Sequence, residues 1–384
     1  MKTVLIGWEL GAGRGHAERL VPIVTAYRAK GWKVIAALRD ARLGADVLGP
    51  HQSASKGGHL TIMRAPIFSH TGMERGPVHS LAEILAKTGF DKPALVRPLI
   101  AGWEAILTRC RPDLAISDSA PSLNIVARGR IPLIVIGNGW TVPPDIDPPA
   151  IFVPAPKNSH PSRVAADAVL SVMRAAVSNV TPVAFFSDLL RGDVNFVCSL
   201  GETDPYRHCR TERLYWPFEI AAPAAVPPDE RFGGLIYLPK NHQARSVIEQ
   251  QAAHLGMRFD AFFNEGQERV SPNLFVHDRP MDFASVIPRK RVVVHHGGLG
   301  TAIWCMVNQV PQIIFPGDLE KLLIAKGIVE GGFGIAMPPG TTGPDFTAAV
   351  GAASTLEVPK FRSHRMATLS PDVSIEALIS VGSG

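Results

Sequence analysis

Cysteine is scarce in this 384-residue chain. The four residues, Cys110, Cys198, Cys209 and Cys305, lie far apart and form no C-x-x-C pair. That argues against a disulfide framework and against the usual zinc-ligand spacing, and it makes reduced core thiols the expectation. Long hydrophobic runs are missing as well: none approaches the ~18 residues that cross a bilayer. The opening MKTVLIGWEL passes straight into a strand-like VLIGW and a glycine turn, without the stretch a signal peptidase would cut. A cytoplasmic location is therefore expected. Blocks of like charge are absent too. The net charge of +5 comes from scattered lysines and arginines, which speaks against nucleic acid and is compatible with anionic ligands or peripheral contact with an anionic membrane face. No acidic cluster has metal-ligand spacing, so no metal is expected. There is no repeat at solenoid period.

What is present is enough apolar sequence, 46% of residues, for two cores in a chain of this length. The chain also carries two glycine-rich βα turns. The first follows a strand at residues 3–7 (TVLIG): Gly11-Ala12-Gly13-Arg14-Gly15-His16 leads into a helix over 17–30, which Gly31 ends, and a second strand at 33–38. The second turn follows Val292-Val293-Val294. The chain breaks into His295-His296-Gly297-Gly298-Leu299-Gly300-Thr301, resumes as a helix and returns as a strand, PQIIF, at 311–315. Each is the start of a βαβ unit of a parallel sheet. Glycines let backbone N–H groups approach a ligand, and the helix start behind them is a seat for phosphate. Between the two turns lie a mostly helical stretch at 81–110 interrupted by Pro93 and Pro98, a strand at 114–117 ending in Asp118, a helix at 121–128 and a buried strand, IPLIVI. A proline-rich loop at 141–161, a helix at 162–179 and a strand at 196–200 follow. Residues 44–76 read as loop-rich.

The segment HHGGLGTAIWCMVNQVPQIIFPGDLEKLLIAKGIVEGGFGIAM resembles the nucleotide-sugar signature of glycosyltransferases with two facing Rossmann domains, the GT-B fold, and is nearest to the bacterial antibiotic glycosyltransferases and the UDP-glucosyl and glucuronosyl transferases. The likeness runs over about forty residues: His296 to Thr301, Val310-Pro311, Pro316, Ala325 and Gly332 to Gly334. RPDLAISD followed by IPLIVIG resembles a second family segment. The resemblance implies an α/β protein of two doubly wound domains facing a cleft. An acceptor-binding domain spans 1–216, a linker 217–231 and a nucleotide-sugar domain 232–360. The tail at 361–384 packs back on the first domain, and the acceptor is read by the loops at 44–76 and 140–163.

The reaction implied is transfer of a sugar from a UDP or dTDP sugar to an acceptor hydroxyl, on a small molecule or a lipid. It is inverting and metal-independent, and the nucleotide sugar is a substrate rather than a cofactor. His16 is the expected general base and Asp118 its orienting partner, within roughly 3 Å. Donor contacts are implied at His296, Gly297, Gly298, Gly300, Thr301, Glu320 and Lys321, with His295, Lys240 and Arg279 as further candidates. Three positions depart from the family pattern. Glu320-Lys321 replaces its Asp-Gln, which points to an unusual donor sugar, such as an acidic one, or to a reoriented loop. His277-Asp278-Arg279-Pro280-Met281 lacks the aromatic that stacks on the base, a role Arg279 can take. Leu238-Pro239-Lys240-Asn241 stands where relatives carry Gly-Ser or Gly-Thr. Competing readings are a dinucleotide oxidoreductase, with Asp40 in the ribose position but G-x-G-x-G-H spacing; a nucleotide-sugar 2-epimerase of the same architecture; and a non-catalytic nucleotide-sugar-binding protein.

Overall fold

All six residues of TVLIGW are buried, and they hydrogen-bond to a parallel neighbour on each side. A strand covered on both faces needs near-continuous apolar sequence, and this one has it. In the computed structural model it is β1 (Thr3–Trp8). The structure describes residues 1–51, 58–68, 76–154, 160–177, 183–221, 223–224, 226–263, 269–361 and 370–383. Parts of the two expected acceptor loops, at 52–57, 69–75 and 155–159, lie outside the described residues.

The chain divides into two units. The first comprises Met1–Ser199, Tyr206–Glu219 and Met366–Gly384, the second Leu200–Pro205 and Ile220–Arg365. In the first, β1 is joined by β2 (Lys33–Leu38), β3 (Leu60–Arg64), β4 (Leu114–Asp118), β5 (Leu133–Gly137) and β6 (Val194–Val197). The order is β3-β2-β1-β4-β5-β6, with every pairing parallel. The connecting helices are α1 (Arg14–Ala29), α2 (Ala41–Leu48), α3 (Leu81–Leu85), α4 (Pro93–Cys110), α5 (Pro121–Ala127) and α6 (Pro161–Ala176). Alternate residues of β1 feed two cores: Val4, Ile6 and Trp8 meet Leu20, Ile23 and Tyr27 of α1, while Leu5 joins Trp103 and Leu123 on the other face. Gly7 belongs to the second face because a Cβ there would lie 2.4 Å from Leu123 and 2.9 Å from Trp103.

The second unit holds β7 (Gly234–Tyr237), β8 (Phe259–Phe262), β9 (Arg269–Ser271), β10 (Leu274–Val276), β11 (Val292–His295), β12 (Gln312–Ile314) and β13 (Gly334–Ala336). Their order is β13-β12-β11-β7-β8-β10-β9. All neighbours are parallel except β9, which runs antiparallel to β10. Its helices are α7 (Arg245–Ala252), α8 (Phe283–Val286), α9 (Leu299–Val307), α10 (Leu319–Glu330) and α11 (Gly343–Ser354). The last helix, α12 (Pro371–Ser383), belongs to the first unit. Its Leu378 and Ile379 join the core of α1, and a Cβ on Gly382 would lie 2.3 Å from the Tyr27 hydroxyl. Among the described residues no helix is long and apolar enough to cross a membrane.

Several local expectations are corrected. The stretch at 44–76 is not simply loop: it carries the end of α2 and all of β3. β3 is the sheet edge and has no fully buried residue, so it leaves no apolar alternation to read. Pro98 does not interrupt a helix. It sits inside an unbroken α4, near the start, where Pro93 occupies the first turn. Asp40 is the N-cap of α2, accepting from the Leu43 N–H at 2.9 Å.

Candidate active site

In each sheet the strand order reverses beside the first strand of the unit: between β1 and β4, and between β7 and β11. Helices leave opposite faces there, and a crevice opens beyond the carboxyl ends of the two strands. The two glycine-rich turns of the sequence follow β1 and β11, one at each switch point.

In the first unit, Gly11 and Gly13 adopt φ of 82° and 103°, values that favour glycine, and Gly13 starts α1 without a side-chain cap. His16 is already helical, the third residue of α1 rather than the last of a turn. This places its ring over Trp8, stacked at 4.9 Å between centroids and 15° between planes. Asp118 ends β4 opposite Trp8 in the register and is 0% exposed. The structure brings these two side chains together: His16 Nδ1 lies 2.9 Å from Asp118 Oδ2. The other ring nitrogen, Nε2, lies against Gly11, where a Cβ would approach it to 2.5 Å. The residue after Asp118, Ser119, holds φ of 53°, a strained value for a side-chain-bearing residue, and its carbonyl accepts from the Leu10 N–H at 2.9 Å. That bond ties the turn after β4 to the turn after β1.

Arg19, one turn beyond His16 on the same helix face, also reaches Asp118, with Nη1 at 3.2 Å from Oδ1 and 3.4 Å from Oδ2. Burial alone would raise the Asp118 carboxyl, but the charges and hydrogen bonds of His16 and Arg19 together hold it below the ordinary range. Glu9, just past β1, is 1% exposed and accepts from Ser122 N (3.0 Å) and Ser122 Oγ (2.7 Å). Burial pushes its carboxyl up to about 7, with the Ser122 bonds and the Arg39 charge opposing. Sequence reasoning missed Arg19 and Glu9. The i, i+3 spacing to His16 was a legible signal for Arg19, whereas Glu9 carried none.

In the second unit, α9 begins on Gly298 with no side-chain cap, so the first N–H groups of the helix have neither intrahelical nor capping partners. Ala302 N is the first to bond back, to Gly298 O at 3.0 Å. Gly300 and Thr301 are the second and third residues of this helix, and a Cβ on Gly300 would meet open space. Gly297, at φ 91°, is pressed against α10: a Cβ would lie 3.0 Å from Lys321 Cβ. His296 is half-buried beside the Tyr237 ring, 5.7 Å between centroids. Burial first, then the Lys321 cation, push its imidazole down to about 4.

His295 is 0% exposed, and both its nitrogens are used within the protein. Nδ1 accepts from the Gly297 N–H at 3.1 Å, which leaves Nε2 to donate to Gln312 Oε1 at 2.9 Å. Its role is to shape the loop. Glu320 and Lys321 lie in the first turn of α10, capped by Asp318, which accepts from Lys321 N at 3.0 Å. Lys321 Nζ pairs with Glu320 Oε2 at 3.0 Å and Asp318 Oδ2 at 3.5 Å. Its cation is thus balanced by its own neighbours. Lys240 is exposed. Arg279 is 86% exposed, 3.6 Å from Asp278. His242, not singled out from sequence, joins β7 to β12 by donating from Nε2 to Phe315 O at 2.9 Å. Among the described residues no group of three or more His, Cys, Asp or Glu is arranged to hold a metal.

Comparison with known proteins gives the same picture. Residues 251–370 match the family model for the erythromycin biosynthesis protein CIII-like C-terminal domain. Over 354 residues, 85% of each chain, the protein is 26% identical to the elloramycin glycosyltransferase ElmGT of Streptomyces olivaceus. Among solved structures, the calicheamicin glycosyltransferase CalG4 superposes with a TM-score of 0.69 at 14% identity, covering 99% of this chain and 98% of that one. The glycosyltransferase VinC, solved in complex with dTDP, superposes at 0.58 and 17% identity, covering 99% of each. Fold, sequence likeness and the motif at the β11–α9 turn agree: this chain is a nucleotide-sugar-dependent glycosyltransferase of the GT-B fold.

Proposed function

We propose that the protein transfers a sugar from a dTDP or UDP sugar to a hydroxyl of a small-molecule acceptor, with inversion at the anomeric carbon and His16 as general base. The observation that carries this reading is the His16–Asp118 pair at 2.9 Å at the switch point of the first sheet. Asp118 engages Nδ1 and so fixes the tautomer that leaves the lone pair on Nε2. Nε2 takes the proton of the acceptor hydroxyl as the oxygen attacks the anomeric carbon and the nucleoside diphosphate departs. Asp118, held ionised, stabilises the imidazolium that results. Charge on the leaving diphosphate is met by the uncapped N–H groups at the start of α9 and the Thr301 hydroxyl, with no metal ion called on. VinC, bound to dTDP, supports a thymidine nucleotide as the donor. ElmGT, by its name, glycosylates a small molecule, which supports an acceptor of that kind.

The test is His16→Ala with dTDP-glucose and UDP-glucose as donors and a panel of phenolic and macrolide acceptors. Transfer should be lost, while binding of dTDP or UDP, measured by titration, should be unchanged, because the residues proposed to hold the donor belong to the other unit. A variant that retained most of its turnover would end the proposal. Isomerised nucleotide sugar appearing without acceptor would favour the epimerase reading instead.

A further inference from the structure

Asp118 is 0% exposed and receives more than His16. Both its oxygens lie within 3.4 Å of one guanidinium nitrogen of Arg19, whose side chain is only 7% exposed. On its far side Arg19 Nε lies 3.8 Å from Glu219 Oε1, at the end of the segment Tyr206–Glu219, and Glu219 is itself 17% exposed. Four side chains therefore form one line: His16, Asp118, Arg19, Glu219. They come from three separate stretches of the first unit. The Cys198 thiol, fully buried, lies close enough to Arg19, Asp118 and Glu219 to feel their charges.

A carboxylate buried this completely needs a compensating charge at all times. His16 cannot supply it through a catalytic cycle, because a base must begin each turnover uncharged. A permanent cation can, and arginine stays charged under all ordinary conditions. We propose that Arg19, which lies between Asp118 and Glu219, is the positioning residue of this site: it keeps Asp118 ionised and turned toward His16 Nδ1 before the acceptor arrives. The proposal rests on the reading of His16 as base. Without Arg19, Asp118 either takes up a proton and ceases to orient the ring, or draws a proton onto His16 and removes the base. Arg19 touches no reacting atom.

The experiment compares Arg19→Met, Arg19→Lys, Asp118→Asn, the Arg19→Met/Asp118→Asn double variant and His16→Ala. The first readout needs no substrate: long-range ¹H–¹⁵N spectra of the imidazoles at pH 7.5. The parent should show His16 as the Nδ1–H tautomer, and Arg19→Met should show a tautomer mixture or an imidazolium. The second is steady-state transfer from dTDP-glucose to a phenolic acceptor. Arg19→Met should lower kcat on the order of 10²-fold, the scale of general-base catalysis, with little change in donor KM. Arg19→Lys, which keeps the charge and loses the fork, should recover part of that loss. The double variant should be no worse than Asp118→Asn within about threefold, because Arg19 acts through Asp118.

If Arg19→Met fails to fold, Arg19→Gln, neutral but polar, carries the test through the same spectra and the same KM-against-kcat split. An unchanged His16 tautomer, or losses that multiply in the double variant, would overturn the role of Arg19 while leaving the base in place. Retained turnover in His16→Ala would instead overturn the base itself.

Discussion

His295 offers a test of the loop geometry that is independent of any substrate. The imidazole is fully buried, its Nδ1 occupied by the Gly297 N–H and its Nε2 by Gln312. Burial pushes it down to about 3, the neighbouring His296 adds to the effect, and the Gln312 bond opposes it. In the unfolded chain the same ring titrates near ~6.5. The unfolded state therefore binds a proton below ~6.5 that the folded state refuses until about pH 3. Stability from this group is complete above ~6.5 and is lost as pH falls, at ~1.4 kcal/mol per pH unit. At pH 5 the loss amounts to about 2 kcal/mol. His296, depressed to about 4, follows the same sign. It adds a comparable loss, so the two together cost the second unit on the order of 4 kcal/mol between pH 8 and 5.

Two measurements check this. Imidazole Cε1–H signals, followed by NMR from pH 8 to 5, should show no titration of His295. Amide hydrogen exchange in β11 and α9 should show the stability decline, and His295→Asn, which keeps an acceptor for Gly297 but does not titrate, should remove about half of it. A His295 signal with a midpoint near ~6.5 would refute the reasoning, since a ring that accepts a proton there cannot be accepting the Gly297 bond. So would an unchanged acid sensitivity in His295→Asn.

Gly11→Ala places a methyl 2.5 Å from His16 Nε2, closer than the two can stay, at a φ of 82°. Kinetics should show a kcat loss on the order of 10²-fold with nucleotide affinity intact, and a crystal structure should show the ring displaced. Thr301→Val and His296→Ala should each weaken dTDP binding by ~1.5–3 kcal/mol in calorimetric titration; unchanged affinity in both would move the diphosphate elsewhere. Lys321→Gln removes the cation that pairs with Glu320 and Asp318. It should alter the preference among donor sugars, read from relative kcat/KM, more than it alters affinity for dTDP alone.

The parallel α/β architecture and the two glycine-rich turns are legible in the sequence alone. Both are written in contiguous residues: the apolar runs TVLIGW, LAISD and LIVIG, which suit strands buried on both faces, and glycines where the backbone takes positive φ or passes close to a neighbour. The forty-residue stretch beyond β11 was specific enough to name the reaction class, because a phosphate seat is built from consecutive backbone atoms.

Edge strand β3 was not legible, since half-exposed residues carry no period. The partners of the donor loop were not legible either. His295 reads like a ligand until Gln312, seventeen residues on and one strand over, accepts a hydrogen bond from its Nε2. Lys321 reads like a free cation until Asp318 and Glu320 balance it. The distance between His16 and Asp118, and the passage of Arg19 from Asp118 to Glu219, were set by tertiary structure alone. Residues 102 and 99 positions apart meet only because β1 and β4 are neighbours at the switch point. Long-range pairing of that kind depends on strand order and register, which no local stretch of sequence encodes.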